Sequence, residues 1–193
     1  MDTDSTDSSN PTPRGSTLLP IARAAISTAL GQPLKVAEDA AWLQELGACF
    51  VTLIQQGQLR GCIGTLEAYR PLLLDVKANA VNAALRDPRF RPLTAAELPV
   101  TEIEVSVLSP MQAIQFDSEV HALAQLRPGI DGVVLEFDRH RSTFLPQVWE
   151  QLPTAHEFIA LLKQKAGLPV DFWAEGVRLS RYTVSKWKES ERA

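Results

Sequence analysis

Apolar positions recur with helical spacing at Leu18, Leu19, Ala22, Ala25, Ile26, Ala29 and Leu30, and Gly31 and Pro33 then stop the pattern. A short helix is expected from Glu38 to Leu46, ended by Gly47. Residues 48–55 are rich in β-branched and aromatic side chains and read as a strand. Gln56-Gly57-Gln58 reads as a turn, and Leu59 to Leu66 as the returning strand of a hairpin. Pro71 opens a helix whose stripe is Leu72, Leu73, Val76, Ala80, Ala83 and Ala84, and Asp87-Pro88 closes it.

Thr94 and Glu97 have capping-box spacing for one short turn, which Pro99 cuts off. Ile103, Val105 and Val107 alternate with Glu102, Glu104 and Ser106, the clearest half-buried strand in the chain. Beyond it the pattern predicts a short strand at 113–116, a helix at 118–126 and strands at 133–137 and 142–145. Thr154 and Glu157 cap an amphipathic helix that Gly167 and Pro169 end, and a last strand runs through Val177, Leu179 and Val184. Helices mixed with hairpins, and few βαβ units, predict an α+β fold built mainly on antiparallel sheet.

Residues 1–16 hold Asp, Ser, Thr and Pro and, apart from Met1, no large apolar residue; they are expected to be disordered, with the folded domain spanning 17–193. The chain has 193 residues, enough for one core with a small second lobe. Net charge is −4, which argues against nucleic acid and anionic membranes as partners. The basic clusters near Phe90, His140 and Trp187 are thin, so RNA association is the weakest reading. The first residues lack the apolar stretch of a signal peptide, and the expected address is the cytoplasm. The two cysteines, Cys49 and Cys62, are too few for a disulfide framework and lack zinc-site spacing, so neither metal nor cofactor is expected. Cys49 reads as a small core residue.

Leu59-Arg60-Gly61-Cys62-Ile63-Gly64 is the stretch that suggests chemistry. A thiol stands between glycines, which let backbone approach closely, and near a guanidinium that could favour the thiolate. A depression of about 1.5 units would make such a thiol mostly thiolate at neutral pH, worth roughly 2 kcal/mol. On that reading Cys62 and Arg60 are the catalytic candidates. Gly61, Gly64, Arg89, Glu104 and Gln147 are binding candidates. Glu104 would reach Arg60 or Arg89 across the sheet, and Gln147 would offer its amide at a cleft wall. Arg60 and Cys62 share a face only if the strand is regular between them. Arg89 reads first as tying its loop to the sheet, and second as a bidentate clamp for a carboxylate or phosphate.

Phe50-Val51-Thr52-Leu53, the hexapeptide, Asp87-Pro88-Arg89-Phe90, Glu104-Val105-Ser106-Val107-Leu108-Ser109 and Phe144-Leu145-Pro146-Gln147-Val148 occur in the order seen in the AMMECR domain family, which the chain resembles from about Leu18 to Glu189. Prokaryotic members are called AmmeMemoRadiSam system protein A. The resemblance implies an antiparallel sheet flanked by helices with a smaller lobe. It also implies a functional link to MEMO-type and radical SAM proteins, and no secure activity. Two readings stay open. One is a cleft around the hexapeptide that handles a small molecule or modified group; the other is a binding or scaffold module without chemistry.

Overall fold

A computed structural model describes residues 14–191. The expected tail falls outside the described residues as far as position 13, while Arg14, Gly15 and Ser16 already belong to the first helix, α1 (Arg14–Ala29). The chain forms two compact units: one runs to Val107 and takes back the chain from Lys186, and the other is Leu108–Ser185. The fold is α+β, built on antiparallel strand pairs.

In the first unit β2 (Cys49–Gln55) and β3 (Gln58–Gly64) form the predicted hairpin. Gln56 and Gly57 both have positive φ, 50° and 75°, the backbone of a two-residue turn that follows the twist of the strands. β5 (Glu102–Leu108) pairs with the other side of β2, and β10 (Val184–Lys188) adds beyond it, giving the order β10-β5-β2-β3. Helices α1 and α2 (Leu72–Leu85) cover one face. Leu18, Ile21, Ile26, Val51, Leu53, Val76, Ala80, Ile103 and Val105 form the core between helices and sheet.

The helix expected at 38–46 does not form. Ala41–Gln44 makes one 3-10 turn, and Leu46–Gly47 is instead β1, paired with β4 (Arg70–Pro71). The Glu45 carbonyl accepts from Leu72 N–H at 2.9 Å, so the first turn of α2 takes over the backbone that a helix would have used internally.

α2 carries a buried polar pair within its apolar stripe. Asp75 is fully buried; its Oδ2 accepts from Cys49 N–H at 2.8 Å and from Asn79 Nδ2 at 3.0 Å. Its Oδ1 accepts from the Thr65 hydroxyl and Arg70 Nε, each at 2.8 Å. Asn79 Nδ2 also reaches the Cys49 carbonyl at 3.0 Å. The network fastens the start of β2 and the exit of β3 to one helix, and every acceptor it uses is satisfied.

The second unit has the sheet order β6-β9-β7-β8, from β6 (Gln112–Ala113), β7 (Gly132–Phe137), β8 (His140–Phe144) and β9 (Arg178–Tyr182). α3 (Glu119–Ala124) and α4 (Ala155–Lys165) complete it, the latter capped by Thr154 as its spacing predicts. Its core includes Val133, Leu135, Phe158, Ile159, Leu162 and Leu179. Trp149 stacks on Phe158 at 3.9 Å. The single last strand expected near the C-terminus is two strands, β9 in this sheet and β10 in the first, because the chain changes sheets at Thr183. Among the described residues, no helix is long and apolar enough to cross a membrane.

Replacing Asp75 by Asn keeps its shape but presents N–H groups to donors and strands Arg70. Breaking a buried pair in this way costs about 3–5 kcal/mol, and urea unfolding of Asp75→Asn beside the parent chain is expected to show a loss of that size.

Candidate functional site

Register along the hairpin decides where the hexapeptide's side chains go. Leu53 pairs with Gly61 but Ile54 pairs with Leu59, so Arg60 is the extra residue of a bulge. The regular alternation that would set Arg60 beside Cys62 is broken there. Arg60 is buried; its Nη1 donates to the Arg91 carbonyl at 3.0 Å and its Nη2 to Glu97 Oε1 at 3.3 Å. Glu97 is held in turn by the backbone N–H and hydroxyl of Thr94, at 2.9 and 2.8 Å. Those Thr94 bonds first, with Arg60 adding to them, draw the Glu97 carboxyl down to about 2. The cation expected to serve the thiol is therefore engaged with Glu97 and the Arg91 carbonyl.

Gly61 sits where a Cβ would lie 2.2 Å from the Ala83 carbonyl oxygen of α2. Gly64 lies opposite Phe50, whose ring occupies the space a Cβ would need, 2.2 Å away. Both glycines are thus required by close packing within the unit.

Cys62 is half-buried on the face that carries Thr52 and Glu104, its successive cross-strand neighbours. Its Sγ accepts from the Thr52 hydroxyl at 3.3 Å. Its peptide is gripped from outside the sheet: Cys62 N–H donates to Asp87 Oδ2 at 2.8 Å, and Arg89 Nη2 donates to the Cys62 carbonyl at 3.1 Å. Arg89 also binds Asp87, Nη2 to Oδ2 at 2.7 Å and Nε to Oδ1 at 2.9 Å. That guanidinium above all, then the Cys62 and Arg89 amides, holds the Asp87 carboxyl well below the ordinary carboxylate range, against the opposing effect of burial. Asp87-Pro88-Arg89-Phe90 ties loop to sheet.

Glu104 does not reach Arg60 or Arg89. Its carboxylate meets Lys186 Nζ of β10 at 3.4 Å. Gln147 belongs to the second unit, exposed on the 3-10 turn Pro146–Glu150, where Val148 and Trp149 pack inward. Cys49 is fully buried, and burial, followed by the charge of Asp75, pushes its thiol above the ordinary range. Among the histidines, His121 faces Asp117 and His140 faces the Ala166 carbonyl.

Sequence reasoning missed Thr52 as the donor to sulfur, Glu97 as the partner of Arg60, and the Asp75–Asn79 pair. A signal for the last was present: two polar residues, four apart, interrupt the apolar stripe of α2.

Two outcomes follow. Gly61→Ala forces α2 away from β3 and is expected to cost about 2–3 kcal/mol, whereas Gly57→Ala, strained but in open space, costs about 1 kcal/mol; chemical denaturation of both variants checks this. The depressed Asp87 carboxyl contributes stability that is complete above the unfolded value of about 4 and drains away as pH falls from there toward the lower folded value. The stability gap between the parent chain and Asp87→Asn is therefore widest at neutral pH and narrows below about pH 4, as unfolding free energies across pH 3–7 measure.

Residues 19–187 match the AMMECR1 family model. Protein MJ0810 of Methanocaldococcus jannaschii is 36% identical over 179 residues, covering 88% of this chain and 87% of that one. A protein of Methanothermobacter thermautotrophicus is 37% identical over 185 residues, covering 91% and 94%. The crystal structure of the uncharacterised protein PH0010 from Pyrococcus horikoshii superposes with a TM-score of 0.75 at 32% identity, over 91% of both chains. With a family model matched over nearly all of the described residues, this chain is a member of the AMMECR1 family.

Proposed function

We propose that this chain is a binding or scaffold module without chemistry of its own, in which the hexapeptide is an architectural element. One observation carries the reading: the groups that made the hexapeptide look reactive are engaged internally. Arg60 is held by Glu97 and the Arg91 carbonyl, Gly61 by the approach of α2, Gly64 by the Phe50 ring, and the Cys62 peptide by Asp87 and Arg89. The MEMO-type and radical SAM proteins implied by the resemblance are the partners such a module would hold, in the cytoplasm.

The competing reading is a cleft at Arg60-Gly61-Cys62-Ile63-Gly64 that handles a small molecule or modified group. It rests on the half-buried Cys62 Sγ beside the Thr52 hydroxyl. Replacing the chromosomal copy with Cys62→Ala separates the two. The scaffold reading expects rescue of a deletion strain to the level of the parent gene, with Gly61→Ala failing in proportion to its lost stability. A Cys62→Ala protein that keeps its melting temperature yet fails to rescue overturns the reading in favour of a chemical role for the sulfur.

A further inference from the structure

We propose that the outer face of α2 is an interface with a second copy of this chain, the two helices packing antiparallel about a two-fold axis. Opposite its core-facing stripe the helix carries another one. Leu74, Ala78, Val81 and Leu85 follow the i, i+4, i+7, i+11 spacing of a helix seam and fall within one narrow arc. Leu74 is 53% exposed, and Ala78, Val81 and Leu85 are half-buried. Lys77 is the one charged side chain on this outer half, and it is held by both oxygens of Glu38, at 2.9 and 3.0 Å. A surface helix keeps a polar outer face, whereas a helix apolar all round is a covered one.

The occupant follows from the shape beside the seam. A cavity of about 320 Å³ opens between α1 and α2, walled by Ala25 and Ala29 of α1, by Leu34 and by Val81. With the axis next to Ala78, antiparallel register sets Leu74 of each copy opposite Val81 of the other. Each exposed Leu74 then enters the other copy's cavity as a knob in a hole, and the small Ala78 lets the helices approach at the axis. A parallel pair would set Leu74 against itself and leave both cavities open. Leu46 and Tyr69, exposed beside the strand pair from which α2 starts, extend the face toward Leu85 of the second copy.

The charges fit the same arrangement. The seam itself carries none, so like surfaces meet without repulsion. The two-fold brings the Lys77–Glu38 pairs of both copies to one side of the seam, where two cations and two carboxylates balance.

The test is sedimentation velocity of the full chain over a wide range of concentration, with a reversible dimer as the expected result. Leu74→Glu, at an exposed position, is expected to keep the parent's far-ultraviolet circular dichroism and to weaken dimerisation by at least about tenfold. Ala78→Glu and Ala78→Lys are each expected to be monomeric alone and to form a heterodimer when mixed, because the axis brings position 78 against itself. Leu74→Glu mixed with Leu74→Lys is expected to stay monomeric, because Leu74 meets Val81 and not its own copy. A parent chain that stays monomeric at every concentration, which leaves the face to another protein, overturns the proposal. So does a dimer that Leu74→Glu leaves intact, a position 78 mixture that fails to associate, or a position 74 mixture that does.

Discussion

The first unit depends on a carbon atom that is absent. At Gly61 the backbone of β3 approaches the Ala83 carbonyl of α2 so closely that a Cβ would lie 2.2 Å from that oxygen. This contact sets the helix-to-sheet spacing, and the remaining arrangements conform to it. The bulge at Arg60 places Gly61 opposite Leu53 on the core side. It turns Arg60 aside to Glu97, and it leaves the next residue, Cys62, on the other face. Asp75 and Asn79, on the same helix, then fix both the start of β2 and the exit of β3.

Each four-stranded sheet also uses an aromatic ring to cover a glycine across a strand pair. Phe50 lies against Gly64 in the first, and Tyr182 lies against Gly132 in the second, where a Cβ would meet the ring at 2.4 Å. A glycine weakens a strand because it offers no side chain to pack, and a ring folded over it restores the lost contact. In the second case the ring is anchored as well, since the Tyr182 hydroxyl lies 3.0 Å from that of Thr143. A flat ring needs this gap, so glycine and aromatic are constrained as a pair.

Local patterns carried much of this fold. The alternation of Ile103, Val105 and Val107 marked β5, and the stripe from Leu72 to Ala84 marked α2 almost to its ends. Thr154 announced α4 because a capping hydroxyl acts within one turn. Non-local pairing was not legible. Residues 38–46 look helical in isolation, and only the hydrogen bonds to residues 70–72 make them a turn and a strand. The same holds for the site. The motif stood out for its residue types, but the direction of Arg60 depends on a one-residue register shift that no side-chain pattern records. Arg89 could be read as either clamp or tie, and its bonds to Asp87 and the Cys62 carbonyl make it a tie.

β3 is the outermost strand of its sheet. An outermost strand presents free peptide groups along its rim, a template on which another extended chain can add. Asp87 accepts from the Cys62 N–H and Arg89 donates to its carbonyl, so one acidic and one basic side chain stand where a neighbouring strand's carbonyl and amide would dock. The Asp-Pro-Arg loop is thus a stopper against intermolecular β-pairing, and its loss would expose the chain to cross-β association even where the monomer still folds.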